Sequence, residues 1–142
     1  MNSTTIIEGG CHCGNINYIY KTEVATNKIP LRKCGCSFCS KQGAIYTSDP
    51  NGKLIVKIES KKHINNYQFS TKQVNFVFCT KCGVMPLSTT KINQKLYALI
   101  NVNTSNKNIN KSSVTETDFS KETVSESIER RKSKWISAIE GI

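Results

Sequence analysis

The chain has 142 residues, of which 37% are hydrophobic and 21% are charged, and its formal net charge is +10. This length fits one domain with a modest core, and the composition excludes collagen-like and fully disordered chains. No apolar run approaches the roughly 18 residues that a membrane-spanning helix needs. The first ten residues lack the basic start and apolar stretch of a signal peptide. We therefore expect a cytoplasmic protein in a reducing compartment.

The positive charge lies in the first part of the chain. Residues 1–110 hold 14 basic and 4 acidic side chains, whereas residues 111–142 hold 6 of each. Only 3 of the 20 basic residues are arginines, the side chain that nucleic-acid readers use for bidentate contacts. The charge favours anionic partners in general, and any binding to nucleic acid should be weak and non-specific.

Short β-strands are predicted along the chain. Residues 14–21 place apolar side chains at alternate positions, as a half-buried strand does. Residues 54–59 alternate in the same way and follow the turn sequence Asp49-Pro-Asn-Gly. Three further runs follow, at residues 67–69, 74–78 and 95–102. We expect one all-β domain over residues 1–142, because the strands do not alternate with helices.

Two segments follow the predicted core, which covers about residues 6–102. Residues 103–123 are polar and have few apolar side chains to anchor them, which predicts a long surface segment. In residues 124–142 the apolar side chains recur at gaps of 4, 7, 4 and 3, which fits one helical face interrupted by Arg131. We expect this last segment to dock against the core, with Trp135 covering its end.

All seven cysteines fall in three clusters: Cys11 and Cys13; Cys34, Cys36 and Cys39; Cys79 and Cys82. An odd number of cysteines cannot all pair within one chain, and a reducing compartment disfavours disulfides. Closely spaced thiols are typical of zinc sites. Gly14 and Gly83 directly follow two of the clusters, where glycine lets the chain turn so that backbone N–H groups face the sulfurs. The pattern therefore favours metal binding.

The number of cysteines constrains the number of metal ions. One closed site takes four of the seven, and the simplest partition joins the two pairs, which links the start of the chain to the late strands. The remaining trio would hold a second zinc ion by three sulfurs and leave the fourth position open, as in catalytic zinc sites. This partition predicts two zinc ions per chain.

Other assignments of the cysteines stay open. His12, His63 or an acidic side chain can supply a fourth ligand and make the second site structural. A single zinc ion with three ordinary buried thiols is another assignment, as is an iron–sulfur cluster, although C-x-C-x₂-C lacks the ferredoxin spacings. His12 lies between two predicted ligands, so its side chain should point away from their metal. No Ser/His/Asp, GxGxxG or Walker pattern supports acyl transfer or nucleotide binding.

The order of these motifs resembles that of a known family. The motifs are Gly9-Gly-Cys-His-Cys-Gly14 before an alternating strand, Cys34-x-Cys-x-x-Cys39 followed by Lys41 and Gly43, and Phe78-Cys-Thr-Lys-Cys-Gly83 with Pro86 nearby. From about Ile7 to Val102 they are similar to the glutathione-dependent formaldehyde-activating enzyme family, which also includes centromere protein V. Further on, Lys132 and Trp135 resemble the closing Lys-x-x-Trp pattern of that family.

The resemblance implies a β-tent fold with two zinc sites and a loosely structured C-terminal segment that is extended rather than helical. It implies a structural zinc on Cys11, Cys13, Cys79 and Cys82, and a catalytic zinc on Cys34, Cys36 and Cys39. The activity of the family joins glutathione and formaldehyde into S-hydroxymethylglutathione, which makes it a carbon–sulfur lyase in the reverse sense.

Two functions are consistent with these residues. One is a zinc-dependent carbon–sulfur lyase acting on a glutathione-like thiol and a small aldehyde. The other is a non-catalytic, zinc-stabilised binding module for an anionic protein or nucleic acid. Arg32, Lys33 and Lys41 flank the trio and either attract substrate carboxylates or remain solvated. After Val102 the family usually continues Gly-x-Leu-Asp, whereas residues 103–106 here are Asn-Thr-Ser-Asn, which predicts a change of substrate.

Overall fold

A computed structural model describes residues 4–142. The first three residues of the predicted 1–142 domain, which also begin the N-terminal stretch without signal-peptide features, lie outside the described part. The strands are β1 Thr5–Gly10, β2 Ile16–Thr22, β3 Arg32–Cys34, β4 Tyr46–Thr47, β5 Lys53–Ile58, β6 Ile64–Tyr67, β7 Val74–Cys79, β8 Leu87–Ile92, β9 Lys95–Asn101, β10 Thr115–Thr117 and β11 Ala138–Glu140. The helices are α1 Ser37–Gln42 and α2 Val124–Lys134. This β-rich architecture confirms the predicted fold class. Neither helix is long and apolar enough to span a membrane.

The strands form two sheets. The first sheet has the order β1-β2-β5-β11, and the second has the order β10-β3-β4-β9-β8-β7-β6. Most neighbours are antiparallel, but β10 runs parallel to β3 and β11 runs parallel to β5. Each of these two late strands lies at the edge of a sheet. The last 40 residues of the chain thus extend both sheets.

The second sheet has buried side chains on both of its faces. On one face Val77, Leu87 and Ile100 belong to the hydrophobic cluster shared with the first sheet. On the opposite face Phe76 and Leu99 belong to a second cluster, together with Cys39, Tyr46 and Trp135. The alternation of strand side chains produces this division, because successive residues point to opposite faces. The second face is the one that carries the candidate site.

The C-terminal segment is ordered and partly helical, which differs from the loosely structured, extended segment that the family resemblance implied. Helix α2 begins with a capping box, in which Thr123 Oγ1 accepts from the N–H of Glu126 and the Glu126 carboxylate accepts from the N–H of Thr123. The helix ends at Lys134, so the predicted helical face does not continue to residue 142. Trp135 is 5% exposed and belongs to the second hydrophobic cluster.

Backbone pairing to both sheets explains the order of this segment. Ile136 and Ala98 of β9 exchange two backbone hydrogen bonds of 2.8 and 2.9 Å, and β11 then joins the first sheet. Residues 103–123 are mostly exposed, and they also form β10 beside β3. These hydrogen bonds join segments that are distant in sequence, so the local pattern of apolar residues does not predict them.

Candidate metal centres and the adjoining cavity

The structure brings together the four cysteines that were predicted to close one metal site. The Sγ atoms of Cys11, Cys13, Cys79 and Cys82 all lie within 4.8 Å of one another. The Sγ of Cys13 is 3.5 Å from that of Cys79 and 3.8 Å from that of Cys11. A tetrahedral zinc ion with Zn–S bonds of about 2.3 Å requires sulfur separations of about 3.8 Å. The donor set and its spacing therefore fit zinc.

Two tight turns supply these sulfurs, one after β1 and one after β7. Glycines with positive φ follow both turns, Gly14 at 84° and Gly83 at 77°. Backbone N–H groups of Ile16 and Lys81 donate to the Sγ atoms of Cys11 and Cys79 at 3.2 and 3.4 Å. Such donors stabilise the thiolate form of a cysteine. The structure thus has the glycine turns and the N–H donors that the sequence predicted.

The trio of Cys34, Cys36 and Cys39 comes from a strand end and a short helix. Cys34 ends β3, Cys36 is the N-cap of α1, and Cys39 lies in the first turn of that helix. Their Sγ atoms lie within 4.8 Å of one another. The Sγ of Cys36 accepts a hydrogen bond from the N–H of Cys39 at 3.3 Å, which fixes the helix start. The trio is therefore a local structure of six residues.

The pKa values of Cys34 and Cys39 differ, because their sulfurs lie close together and share a hydrogen bond. A hydrogen bond from Cys39 lowers the pKa of Cys34 to about 5, although burial opposes this shift. The same bond and burial raise the pKa of Cys39. Tyr46 Oη lies 3.3 Å from the Sγ of Cys39, and burial raises the pKa of this tyrosine. Without a cation the three sulfurs are not all thiolates, so a metal ion would supply the missing charge.

The trio has three protein ligands within the described part of the chain. Neither of the two histidines, His12 and His63, joins either cysteine cluster, and no acidic side chain does so among residues 4–142. The alternative in which a histidine or carboxylate closes the second site therefore finds no support in the geometry. A metal ion held here would keep a position open.

A cavity of about 370 Å³ adjoins the trio. Its floor is the outer face of the second sheet, where Ser88 of β8 lies between Phe76 of β7 and Leu99 of β9. Its opposite wall comes from residues 117–122 and from α2 with Trp135. The four-cysteine cluster does not line this cavity. The two clusters thus differ in their access to a ligand.

All three arginines of the chain line this cavity. The guanidinium of Arg130 forms an ion pair with Glu122 at 3.0 Å and lies 3.5 Å above the ring centre of Phe119. Arg32 donates to Ser48 Oγ at 2.6 Å, and Arg131 donates to Gln73 Oε1 at 3.0 Å. Burial, followed by the charge of Arg130, lowers the pKa of both Arg32 and Arg131. The cavity wall therefore holds three partly buried guanidinium groups together with the two carboxylates of Asp118 and Glu122.

The predicted basic residues and the changed residues 103–106 lie differently around the trio. Lys33 and Lys41 are exposed and do not line the cavity, so Arg32 alone of the three predicted basic residues reaches it. Residues 103–106 do not line the cavity either. Instead, the Asn103 side chain donates to the carbonyl of Gly43 at the end of α1. The changed residues thus support the helix of the trio and have no direct contact with the cavity.

Comparison with known proteins gives a family for the chain. The family model described as "Glutathione-dependent formaldehyde-activating enzyme" matches residues 6–122. The chain belongs to this family. The matched range contains all seven cysteines and ends before α2. The family assignment therefore covers both candidate metal centres, but it does not cover the C-terminal wall of the cavity.

A solved structure shows the same fold as this family member. It is the crystal structure of a Rhodobacter sphaeroides protein, a Northeast Structural Genomics target. The two chains are 24% identical and superpose with a TM-score of 0.57, over 78% of this chain and 99% of the other. This likeness supports the fold alone.

Sequence reasoning missed most of the cavity wall. Arg131 was noted only as an interruption of an apolar stripe, and Ser88 and Tyr46 gave no signal. One signal was available, because arginine is rare in this lysine-rich chain and two of its three arginines are adjacent. A charged residue inside an apolar helical face can mark a polar cavity beneath that face.

Proposed function

We propose that the protein is a zinc-dependent carbon–sulfur lyase that acts on a glutathione-like thiol and a small aldehyde such as formaldehyde. The observation that carries the proposal is the position of the trio, which has three sulfurs and lies in the wall of a cavity. Membership of the glutathione-dependent formaldehyde-activating enzyme family supports the same reaction class. Thiol and aldehyde would be the small-molecule partners.

The two cysteine clusters take different roles in this proposal. Cys11, Cys13, Cys79 and Cys82 would hold a structural zinc ion, because four thiolates complete its tetrahedral shell. This site would join the end of β1 in the first sheet to the end of β7 in the second. Cys34, Cys36 and Cys39 would hold the catalytic zinc ion, since three ligands leave one position for a substrate. A reducing compartment such as the cytoplasm would keep the seven thiols available.

The chain positions and activates the reactants. Zinc held by the trio would act as a Lewis acid that lowers the pKa of a bound substrate thiol. The cavity would hold thiol and aldehyde together beside the trio, which replaces a diffusional encounter by a local one. The buried hydroxyl of Tyr46 hydrogen-bonds to Cys39 and thereby fixes the orientation of that ligand. In the reaction the sulfur bonds to the carbonyl carbon, the C=O π bond breaks, and the proton lost by the thiol ends on the oxygen.

The experiment follows the exchange between free formaldehyde and its glutathione adduct by NMR, with and without the zinc-loaded protein. We expect exchange faster than the spontaneous rate with the wild-type protein, and the spontaneous rate with Cys36→Ser. Serine is a preferred N-cap residue, so this variant keeps the start of α1 while losing one zinc ligand. If the fully metallated wild-type protein does not accelerate exchange with glutathione or another cellular thiol, the lyase assignment is wrong. The zinc-stabilised binding module then remains.

A further inference from the structure

Two buried polar atoms on residues that line the cavity have no hydrogen-bond partner among the described residues. They are Ser88 Oγ and Arg131 Nε. Ser88 is 1% exposed and lies in the middle of the cavity floor. Folding normally pairs such atoms, because an unpaired buried donor costs free energy. Two unpaired polar atoms beside one cavity indicate a binding site in which a ligand would supply the missing hydrogen-bond partners.

The guanidinium of Arg131 forms no direct ion pair with an acidic side chain among residues 4–142. Its hydrogen bond goes from Nη1 to the neutral amide oxygen of Gln73. Glu122 is engaged by Arg130 through three hydrogen bonds, and the exposed Asp118 accepts from the N–H of Ser120. Arg131 therefore has no hydrogen bond to either carboxylate that lines the cavity, although the nearby charge of Glu122 partly offsets its own. A half-buried charge in this state favours an anionic ligand.

We propose that Arg131 and Ser88 form a subsite that binds a carboxylate of the substrate. The Gln73 contact uses Nη1 and leaves Nε–H and one Nη2–H on a single edge of the guanidinium. That edge is the one that binds a carboxylate through two parallel hydrogen bonds. The Ser88 hydroxyl supplies a third donor from the floor. The inference rests on the proposed function for the choice of ligand, an acidic thiol whose sulfur would reach the trio.

The volume of the cavity and the position of Arg131 in the sequence narrow the range of ligands and the origin of this subsite. A cavity of about 370 Å³ lies at the lower end of the range for small-molecule pockets, which fits a small acidic thiol better than a macromolecular partner. Arg131 lies beyond residue 122, where the family match ends. The C-terminal segment thus supplies Arg131, whereas Ser88 comes from β8 within the matched range, and the cysteine motifs of the family specify neither residue.

Binding of S-methylglutathione to the zinc-loaded protein tests the subsite. This probe keeps both carboxylates of glutathione but has no thiol proton to lose, so its affinity reports the carboxylate contacts. By calorimetry at low salt we expect Arg131→Gln to weaken binding at least about tenfold and Ser88→Ala about threefold to fivefold. Lys134→Gln is the matched control, because it removes one positive charge from an exposed position of the same helix outside the cavity. Its affinity should stay within about twofold of the wild-type value.

The outcomes separate the subsite from the lyase activity. Ser88→Ala removes an unpartnered hydroxyl, so it keeps the fold even if Arg131→Gln loosens α2. Wild-type affinity in both Arg131→Gln and Ser88→Ala overturns the subsite, whether or not the protein accelerates adduct formation. Affinity that depends on both residues, in a protein without lyase activity, supports the subsite and refutes the proposed reaction. A loss in Lys134→Gln equal to that in Arg131→Gln also overturns the subsite, because it shows a general effect of charge.

Discussion

The two cysteine clusters use the same donor atom at the same spacing and differ in their surroundings. Both hold their sulfurs within 4.8 Å. The four-cysteine cluster is built from two turns that lie 66 residues apart in the chain and has a complete set of ligands. The trio is built within six residues and lies in the wall of a cavity. If the proposed function holds, ligand number and access, more than donor type, make one thiolate site structural and the other reactive.

The difference in chain separation also predicts different contributions to stability. A metal that joins distant segments removes much of the freedom of the unfolded chain, and its binding free energy becomes folding free energy. A metal held within one strand end and one helical turn removes little of that freedom. We therefore expect the four-cysteine cluster to control folding and the trio to control chemistry.

The largest expected effect follows from replacing Cys82 by serine. This change opens the site that joins β1 to β7, so the variant should lose at least about 3 kcal/mol of unfolding free energy or fail to fold. Cys82 is only half-buried, so lost core packing adds little to this effect. Urea denaturation followed by circular dichroism measures it. An unchanged midpoint would show that the cluster has no structural role.

The matched change in the trio should affect metal content and leave the fold intact. Elemental analysis should find about two zinc ions in the wild-type protein and one in Cys36→Ser or Cys39→Ser. Cys36→Ser should keep its unfolding free energy within about 1 kcal/mol, because serine maintains the N-cap of α1. One zinc ion in the wild-type protein and none in Cys39→Ser would contradict the division of the cysteines into four and three.

The ligands could be predicted from sequence because their chemistry is rare and their spacing is local. Three short motifs contain every cysteine, and the number of cysteines in each motif favoured one set of four ligands and one set of three. Strands β2, β5, β7 and β9 were also predicted, since their apolar side chains alternate. The predicted strand at residues 67–69 is shifted, because β6 ends at Tyr67.

The remaining elements depend on partners that are distant in sequence. Strand β8 reads as polar because Ser88 and Thr90 are buried on it. Strands β3, β4, β10 and β11 have two or three residues each, too few for a periodic pattern. The cavity is lined by residues from several separate parts of the chain, between Arg32 and Trp135, so no local pattern contains it. Arg131 was therefore visible only as an exception to an apolar stripe.

A moderate effect is expected from the ion pair between Glu122 and Arg130 in the cavity wall. The hydrogen bond from Arg130 lowers the pKa of Glu122 below its ordinary value of 4.5. A lowered pKa in the folded state stabilises the protein above the unfolded pKa, and this contribution is lost as the pH falls through the folded value. Glu122→Gln should cost about 1 kcal/mol at neutral pH, because the pair is partly exposed.

The pH dependence distinguishes this ion pair from the metal sites. Proton competition for cysteine acts on both proteins alike, so the difference in unfolding free energy between wild type and Glu122→Gln reports the pair alone. That difference should shrink as the pH falls from about 6 to about 3. A difference that is constant over this range would show that the ion pair does not stabilise the segment.

The smallest effect is expected for the exposed lysines near the trio. Lys33→Gln and Lys41→Gln should change the KM for glutathione by less than about twofold, because solvent and salt screen charges outside the cavity. Steady-state kinetics at low and moderate salt measures this. A large rise in KM in either variant would mean that substrate carboxylates bind outside the cavity.

The contrast between a closed and an open cluster is tested most directly by ¹¹³Cd NMR of the cadmium-substituted protein during titration with glutathione. We expect two cadmium resonances in the wild-type protein, of which one moves as the thiol binds and the other stays in place. The moving resonance should be absent from Cys36→Ser. If both resonances move, or if neither moves at saturating glutathione, the trio is not the open member of the pair.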